Sequence, residues 1–305
     1  MKFFRSTRLR EKVDDNDVVS LINQLKSVYS IAVLCLLLGM PRSSYYEKIN
    51  RTESNRSREN RKLTARIKEI HESSNKIYGA PKIHRILVKE GYKVSIKRVQ
   101  RRMREANIRS VTVKKFKPKA STSNVESREN ILKQDFNASK PNQKWASDIT
   151  YIHTNCHGWC YLASVMDLCT MRIIGHHFSK SMDTSLVIKA IDKAYKTQKP
   201  TETVIMQTDL GTQYTSNALQ NYLKDKPIIQ SFSHKGYPYD NACIESFHAI
   251  LKKEEVYLNT YQSFEHARLK LFQFIEGWYN RNRIHSSIEY MTPIEYESLF
   301  HSIAC

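Results

Sequence analysis

The sequence predicts a mixed α/β sheet covered by helices, preceded by small all-α units. Three patterns predict it. Runs rich in aromatic and β-branched residues, Trp145 to His153, Trp159 to Leu168 and Arg172 to Phe178, follow one another across turn residues, as an antiparallel meander does. Helical and strand-like segments then alternate toward the C-terminus, the sign of a sheet with helices packed on it. Before residue 110, apolar residues recur at helical spacing.

With 305 residues, 40% of them hydrophobic, the chain can bury two or three cores, which excludes wholesale disorder. Val18 to Tyr29 sets Leu21, Leu25 and Val28 on one helical face, and Ile31 to Leu38 is a second apolar helix stopped at Gly39-Met40-Pro41. A polar helix follows from Arg42. Helix, glycine turn and polar helix is the helix-turn-helix order, which any small αα-hairpin also gives. Residues 1–50 are expected to form such a unit, with Arg42 toward DNA.

Residues 51–110 are expected to form a basic three-helix domain whose first ten residues are a linker. Its helices run from about Arg58 to Ser73, from Pro81 to Gly91, and onward from Ser95, whose hydroxyl suits the cap position. The third helix carries an apolar stripe of Ile96, Val99, Met103 and Ala106. Lys97, Arg98, Arg101, Arg102 and Arg104 crowd its remaining face without an acid before Glu105. Residues 111–140 read as a second linker, basic and then Ser/Asn-rich, with Glu129 to Phe136 as one or two helical turns. Residues 141–305 hold the α/β domain. Beyond the meander it has a helix over Met182 to Thr197, a buried strand over Thr203 to Met206, a helix over Ser216 to Leu223 and a strand over Pro227 to Phe232. A helix over Asn241 to Glu255, capped by Asp240 or Asn241, and helices over Ser263 to Tyr279 and Pro293 to Phe300 close it.

The charge is uneven. Of a net +19, residues 51–120 hold +16, from 22 Lys or Arg against 6 Asp or Glu, leaving +3 for everything else. Such clustering fits a polyanionic partner, nucleic acid foremost and an anionic membrane surface second. The apolar run Ile31 to Met40 is short of the roughly 20 residues needed to span a bilayer. M-K-F-F-R-S-T-R-L-R at the N-terminus lacks the features of a signal peptide, and six scattered cysteines suit a reducing cytoplasm.

Three carboxylates stand out. Asp148 shares a strand face with Ala146, Thr150 and Ile152, where desolvation disfavours a charge unless a cation or partner offsets it. Asp209 follows a strand end, a frequent place for functional groups in α/β sheets. Glu245, with 35 residues between it and Asp209, lies on a helical face with Asn241, His248, Ala249 and Lys252. Singly, each acid reads as a surface, turn or cap residue; together they form the oxygen-rich donor set that suits Mg2+ or Mn2+. Two such ions about 3.5–4 Å apart clamp an in-line displacement at phosphorus.

The blocks W-A-S-D-I-T-Y-I, Q-T-D-L-G-T-Q-Y-T-S, K-G-Y-P-Y-D-N-A-C-I-E-S-F-H-A-I-L-K-K-E and N-R-N-R-I-H-S-S-I-E-Y-M-T-P-I-E-Y resemble those of bacterial insertion-sequence transposases with a retroviral-integrase-like catalytic core. The likeness runs roughly from Tyr78 to Tyr296. It implies an RNase H-like fold, with Asp148, Asp209 and Glu245 as catalytic metal ligands and Lys252 at the DNA end. It also implies cleavage and strand transfer on double-stranded DNA by a homo-oligomer of a bacterial, nucleoid-associated cytoplasmic protein, made as a fusion with an upstream reading-frame product. The sequence departs from the family at Gln207-Thr208, where His-Ser is common, and at Leu210, where a polar or basic residue is common; a lost polar contact there would reduce activity. Two other readings are a catalytically impaired DNA-binding regulator and a metal-dependent nuclease of the same fold. Survival of all three acids opposes the first, and two DNA-binding units oppose the second.

Other residues invite weaker readings. Cys156-His157-x-x-Cys160 has zinc-like residues but no evident fourth ligand, so packed thiols are the simpler account. His176, His177 and His234 suit structural or surface positions. Trp278, Tyr279, Arg281, Arg283 and His285 either grip DNA or pack the last helices.

Overall fold

The computed structural model describes residues 14–50, 53–111, 129–233 and 238–303, apart from the side chains of 238, 239 and 301–303. The basic N-terminal decapeptide, the basic run of the second linker and His234 lie outside the described residues. The chain divides into two compact units, Met1–Leu63 and Thr64–Cys305.

In the first unit, α1 (Asp15–Leu25), α2 (Ile31–Leu37) and α3 (Arg42–Asn50) enclose Ile22, Leu34, Cys35, Met40 and Tyr45. Asp14 caps α1 through the Asn16 amide at 3.2 Å, and Ser30 caps α2 through the Val33 amide at 3.4 Å. Gly39, with φ +67°, makes the turn before α3. The expected α1 stripe is off by one: Ile22 is buried, while Leu21 is exposed and Val28 lies in the turn after the helix.

α4 (Asn55–Ser73) begins inside the stretch read as a linker, because Ser54 accepts the Ser57 amide at 3.1 Å and starts the helix early. α5 (Ala80–Lys89) and α6 (Ile96–Glu105) follow. Ser95 caps α6 through the Arg98 amide at 3.3 Å. Val99 and Met103 are buried on α6, as are Ile83 and Leu87 on α5, but Ile96 and Ala106 at the ends of the expected stripe are exposed.

Residues 129–140 also depart from the linker and helical-turn readings. Lys133 and Gln134 adopt left-handed φ values of 48° and 62°, which no right-handed helix accommodates. The segment instead lies along the sheet. Glu129 O accepts the Phe232 amide at 3.0 Å, and Ser231 Oγ accepts the Leu132 amide at 2.9 Å.

The sheet has five strands: β1 (Lys144–Thr154), β2 (Gly158–Asp167), β3 (Ile173–Ser179), β4 (Val204–Thr208) and β5 (Ile228–Phe232). Their order is β3-β2-β1-β4-β5; the first three pair antiparallel, and β4 and β5 run parallel to β1. This is the RNase H-like sheet. α7 (Thr184–Gln198), α8 (Thr212–Thr215) and α9 (Asn217–Leu223) supply one layer, in a cluster with Trp145, Ala163, Val165, Val204 and Met206. α10 (Ala242–Glu254) packs on β1 from the other face, where even-numbered Asp148 points. α11 (Phe264–Phe272) runs on as a π-helical segment, Gln273–Tyr279, and α12 (Pro293–Ile303) closes the domain.

β3 and α7 approach closely at Gly175, where an added Cβ would stand 2.2 Å from Ala190 O and 2.8 Å from Ala194 Cβ. Gly175→Ala should therefore destabilise the sheet domain by about 2–3 kcal/mol through overpacking, read as a lower urea midpoint at unchanged m.

Candidate functional site

Strand register brings the first two carboxylates together. β1 and β4 pair Lys144 with Ile205, Trp145 with Met206 and Ala146 with Gln207. Continued by two residues, that register sets Asp148 opposite Asp209, just where β4 ends and the strands part. Asp148 Oδ1 accepts the Ile149 amide at 2.8 Å, and its Oδ2 is 3.2 Å from His248 Nδ1. Asp209 Oδ1 accepts the Gly211 amide at 2.9 Å and shapes the turn into α8. A Cβ on Gly211 would stand only 2.9 Å from that oxygen, so the turn fits glycine.

Asp209 is exposed as a residue, but protein crowds its carboxylate. That burial, and then the charge of Asp148, push its pKa up to about 6. Beneath the pair, Tyr214 is fully buried and hydrogen-bonded through its hydroxyl to Ser147 Oγ at 2.9 Å. Burial and the Asp148 charge keep that phenol neutral.

Glu245 is exposed in the first turn of α10 and lines a cavity of about 760 Å³ with Asp148, His248, Lys252 and Lys253. Asp209 is not part of that lining. Among the described residues no three His, Cys, Asp or Glu side chains stand close enough to hold an ion, so Glu245 shares the cavity with Asp148 without completing a three-donor cluster. The Asp148–Asp209 pair nevertheless fits a hard divalent cation: two facing carboxylates, one resisting ionisation, gain most from a positive charge between them. Lys252 is half-buried, and burial lowers its pKa while the nearby Asp148 works in the opposite direction.

α10 is clamped at both ends. Asp240, expected as a cap, is buried and takes Asn130 Nδ2 at 2.9 Å and Gln134 Nε2 at 2.7 Å. Asn241 holds the cap position without a side-chain cap bond. At the far end Glu254 accepts Arg283 Nε at 2.9 Å, Arg283 Nη2 at 2.8 Å and Trp278 Nε1 at 3.2 Å. Trp278, Tyr279, Arg283 and His285 are therefore packing residues, and only Arg281 of that group is exposed. His285 is held neutral, its pKa pushed down to about 2 by burial and by the charges of Arg283 and Lys82.

On α6, Lys97, Arg101 and Arg104 are exposed and Arg98 is half-buried, whereas Arg102 is largely covered and paired with Glu105. Arg102 thus drops out of the free basic face. Arg42 is exposed at the start of α3. Gln207 is buried and donates to Ser233 Oγ at 3.1 Å, so it braces β4 against the end of β5. The zinc-like residues do not cluster: Cys156 is exposed, Cys160 is buried near Thr154, and His157 Nδ1 accepts the Phe264 amide at 3.3 Å. His176 joins Glu276 at 3.1 Å and Lys193 at 2.8 Å in a structural cluster.

His248 is the neighbour that sequence reasoning passed over. Its spacing of three from Glu245 set it on the same helical face, yet an isolated histidine gave no hint that it would meet Asp148. The exposed aromatic rings of Tyr151, Trp159 and Tyr257 on the cavity wall carried no signal at all.

The raised pKa of Asp209 sets a pH-dependent penalty. Its folded value lies above its unfolded one, so the native state is disfavoured as pH rises from about 4 through about 6. Asp209→Asn should raise the metal-free Tm at pH 7.5, and this gain should vanish near pH 4; thermal scans across that window measure it.

Family models described as Integrase core domain match residues 138–238 and 227–293, and one described as HTH-like domain matches residues 57–116. Transposase InsF for insertion sequence IS3A from Escherichia coli (strain K12) is 36% identical over 280 residues, covering 91% of this chain and 97% of that relative. The insertion element IS600 uncharacterized 31 kDa protein of Shigella sonnei is 30% identical over 272 residues, covering 89% of this chain and 100% of its own. Among solved structures, the HTLV-2 integrase catalytic core domain in complex with magnesium overlays with a TM-score of 0.41 at 16% identity, over 53% of this chain and 99% of that one. No helix among the described residues is long and apolar enough to cross a membrane. With 36% identity across nearly the whole length of InsF, the chain belongs to the insertion-sequence transposases with an integrase core.

Proposed function

We propose that this transposase cleaves DNA at the ends of its element and joins the freed 3′-hydroxyl to target DNA, with Asp148, Asp209 and Glu245 as the metal-holding residues. The observation that carries this reading is the register that sets Asp148 opposite Asp209, beside a cavity shared by Asp148, Glu245 and Lys252. Bound at these carboxylates, Mg2+ or Mn2+ would activate the attacking hydroxyl and stabilise the departing one. In cleavage, water attacks the phosphorus and the bond to the 3′-oxygen breaks; in joining, that 3′-oxygen attacks a target phosphodiester and displaces the next 3′-oxygen.

The chain's own residues orient the reactants. His248 fixes the rotamer of Asp148 through the contact between Nδ1 and Oδ2. Lys252, half-buried near Asp148, places a cation beside a bound phosphate. The exposed cations of α6, Lys97, Arg101 and Arg104, and Arg42 on α3 neutralise phosphates along the duplex and hold the end in register. Joining two ends in one reaction requires at least two active sites, so the working form is a homo-oligomer on DNA.

Strand transfer on the element's terminal repeats should be absent in EDTA and restored by Mg2+ or Mn2+. Asp148→Ala, Asp209→Ala and Glu245→Ala should each bring cleavage and joining to background while duplex affinity changes less than about twofold. Joining retained in any of the three would remove the site. Replacing Lys97, Arg101 and Arg104 by Gln together should lower the slope of log K against log salt by roughly 2–3. Neutralising Arg102 alone should leave that slope unchanged.

A further inference from the structure

The cavity that holds Asp148 and Glu245 extends well beyond them. Its lining continues along β1 to Asn155, then takes in Trp159 from β2 and Tyr257 and Thr260 from the segment after α10. Here β1 has β2 on one side only. β4 pairs with it no further than Ala146, and a bridge from Thr154 to Tyr261 closes the far end. Between those points no strand among the described residues covers this edge. Trp159 is 60% exposed, Tyr151 49% and Tyr257 44%, an unusual concentration of uncovered rings for one cavity. His153 meets Trp159 edge-on at 5.2 Å, which steadies the indole. Lys252 and Lys253 border the same cavity.

We infer that this extension is a binding subsite for an unpaired nucleotide next to the scissile phosphate, whose base stacks on Trp159 and Tyr257 while Lys252 and Lys253 face its backbone. The inference rests on the proposed DNA-joining role of the neighbouring carboxylates. A blunt duplex keeps its bases stacked on one another and offers only the outer face of its last base pair. A frayed or single-stranded end offers a π-face for each ring and a phosphate for each lysine. Charge complementarity and continuity with the carboxylate site select this occupant: an acidic or wholly apolar peptide would leave one half of the lining unmatched. The rings are sequence-tolerant, so the subsite recognises strand separation and not base identity.

The full chain is mixed, in metal-free buffer, with a terminal-repeat duplex carrying a three-nucleotide single-stranded extension, or with the same duplex made blunt. Wild type should bind the extended end about tenfold more tightly than the blunt one. The combined Trp159→Leu and Tyr257→Leu variant should lose this preference and keep its blunt-end affinity, and Trp159→Phe should retain the preference. A 5-iodouracil in the extension should crosslink on irradiation to peptides carrying Trp159 or Tyr257. Equal affinity for the two ends in wild type, a preference that survives the double variant, or crosslinks confined to other peptides would overturn the subsite. Asp148→Asn separates the two readings: stacking in that variant and in wild type without any strand transfer by wild type would sink the joining reading alone, while transfer without the end preference would sink the subsite alone.

Discussion

Repulsion between Asp148 on β1 and Asp209 just past the end of β4 is the constraint on which the sheet domain's open edge depends. Parallel pairing of β1 with β4 is kept to three residues, and the strands part where Asp148 and Asp209 come level. A longer β4 would press the two charges together in a dry sheet, where an unpaired charge costs several kcal/mol. The Asp209-Leu210-Gly211 turn ends β4 first and gives Asp209 the Gly211 amide as a partner. The opening at the ends of the strands, where α/β sheets commonly bind ligands, follows from that electrostatic limit.

Glu245 sits on a helix and not on the sheet, so its place depends on how firmly α10 is held. Ile244, Phe247 and Leu251 bury one face of the helix, but apolar contacts alone permit sliding along its axis. The polar contacts at each end remove that freedom. Asp240 ties the entry to Asn130 and Gln134, more than a hundred residues earlier, and Glu254 ties the exit to Arg283 and Trp278. A buried ion pair of this kind adds little net stability over apolar packing, yet losing one partner is expensive. Its value here is positional: it fixes which residue of α10 faces Asp148.

The strands and their alternation were legible because a buried face imposes a period of two whatever the partners are. Hence the run from Trp145 through His153 was found to within a residue at each end. The meander is legible for the same reason, and α7 and the facing of Ile244, Phe247 and Leu251 are legible through the helical period of 3.6. What escaped were interactions decided far along the chain. Nothing local says that Lys133 and Gln134 take left-handed conformations so that residues 129–140 run beside β5, or that Asp240 serves distant amides instead of its own helix. Arg283 and Trp278 were ambiguous because the same residue types grip DNA and fill polar cores; the carboxylate of Glu254 decided between them. Arg102 read as one of five equal cations until its pairing with Glu105 set it apart. Of the carboxylate site, sequence supplied the acids, and register supplied the reason that two of them interact.

Electrostatics also sets how closely a third acid can approach that pair. A third like charge drawn toward two acids that already repel would raise the cost further. His248, on the same helix as Glu245, is buried against Asp148 with its Nδ1 3.2 Å from Oδ2. Asp148 facing Asp209, with His248 against the first and Glu245 across the shared cavity, is the arrangement on which the proposed metal binding rests. The apolar and aromatic walls beyond lower the local dielectric, which strengthens charge interactions at the acids lining the cavity.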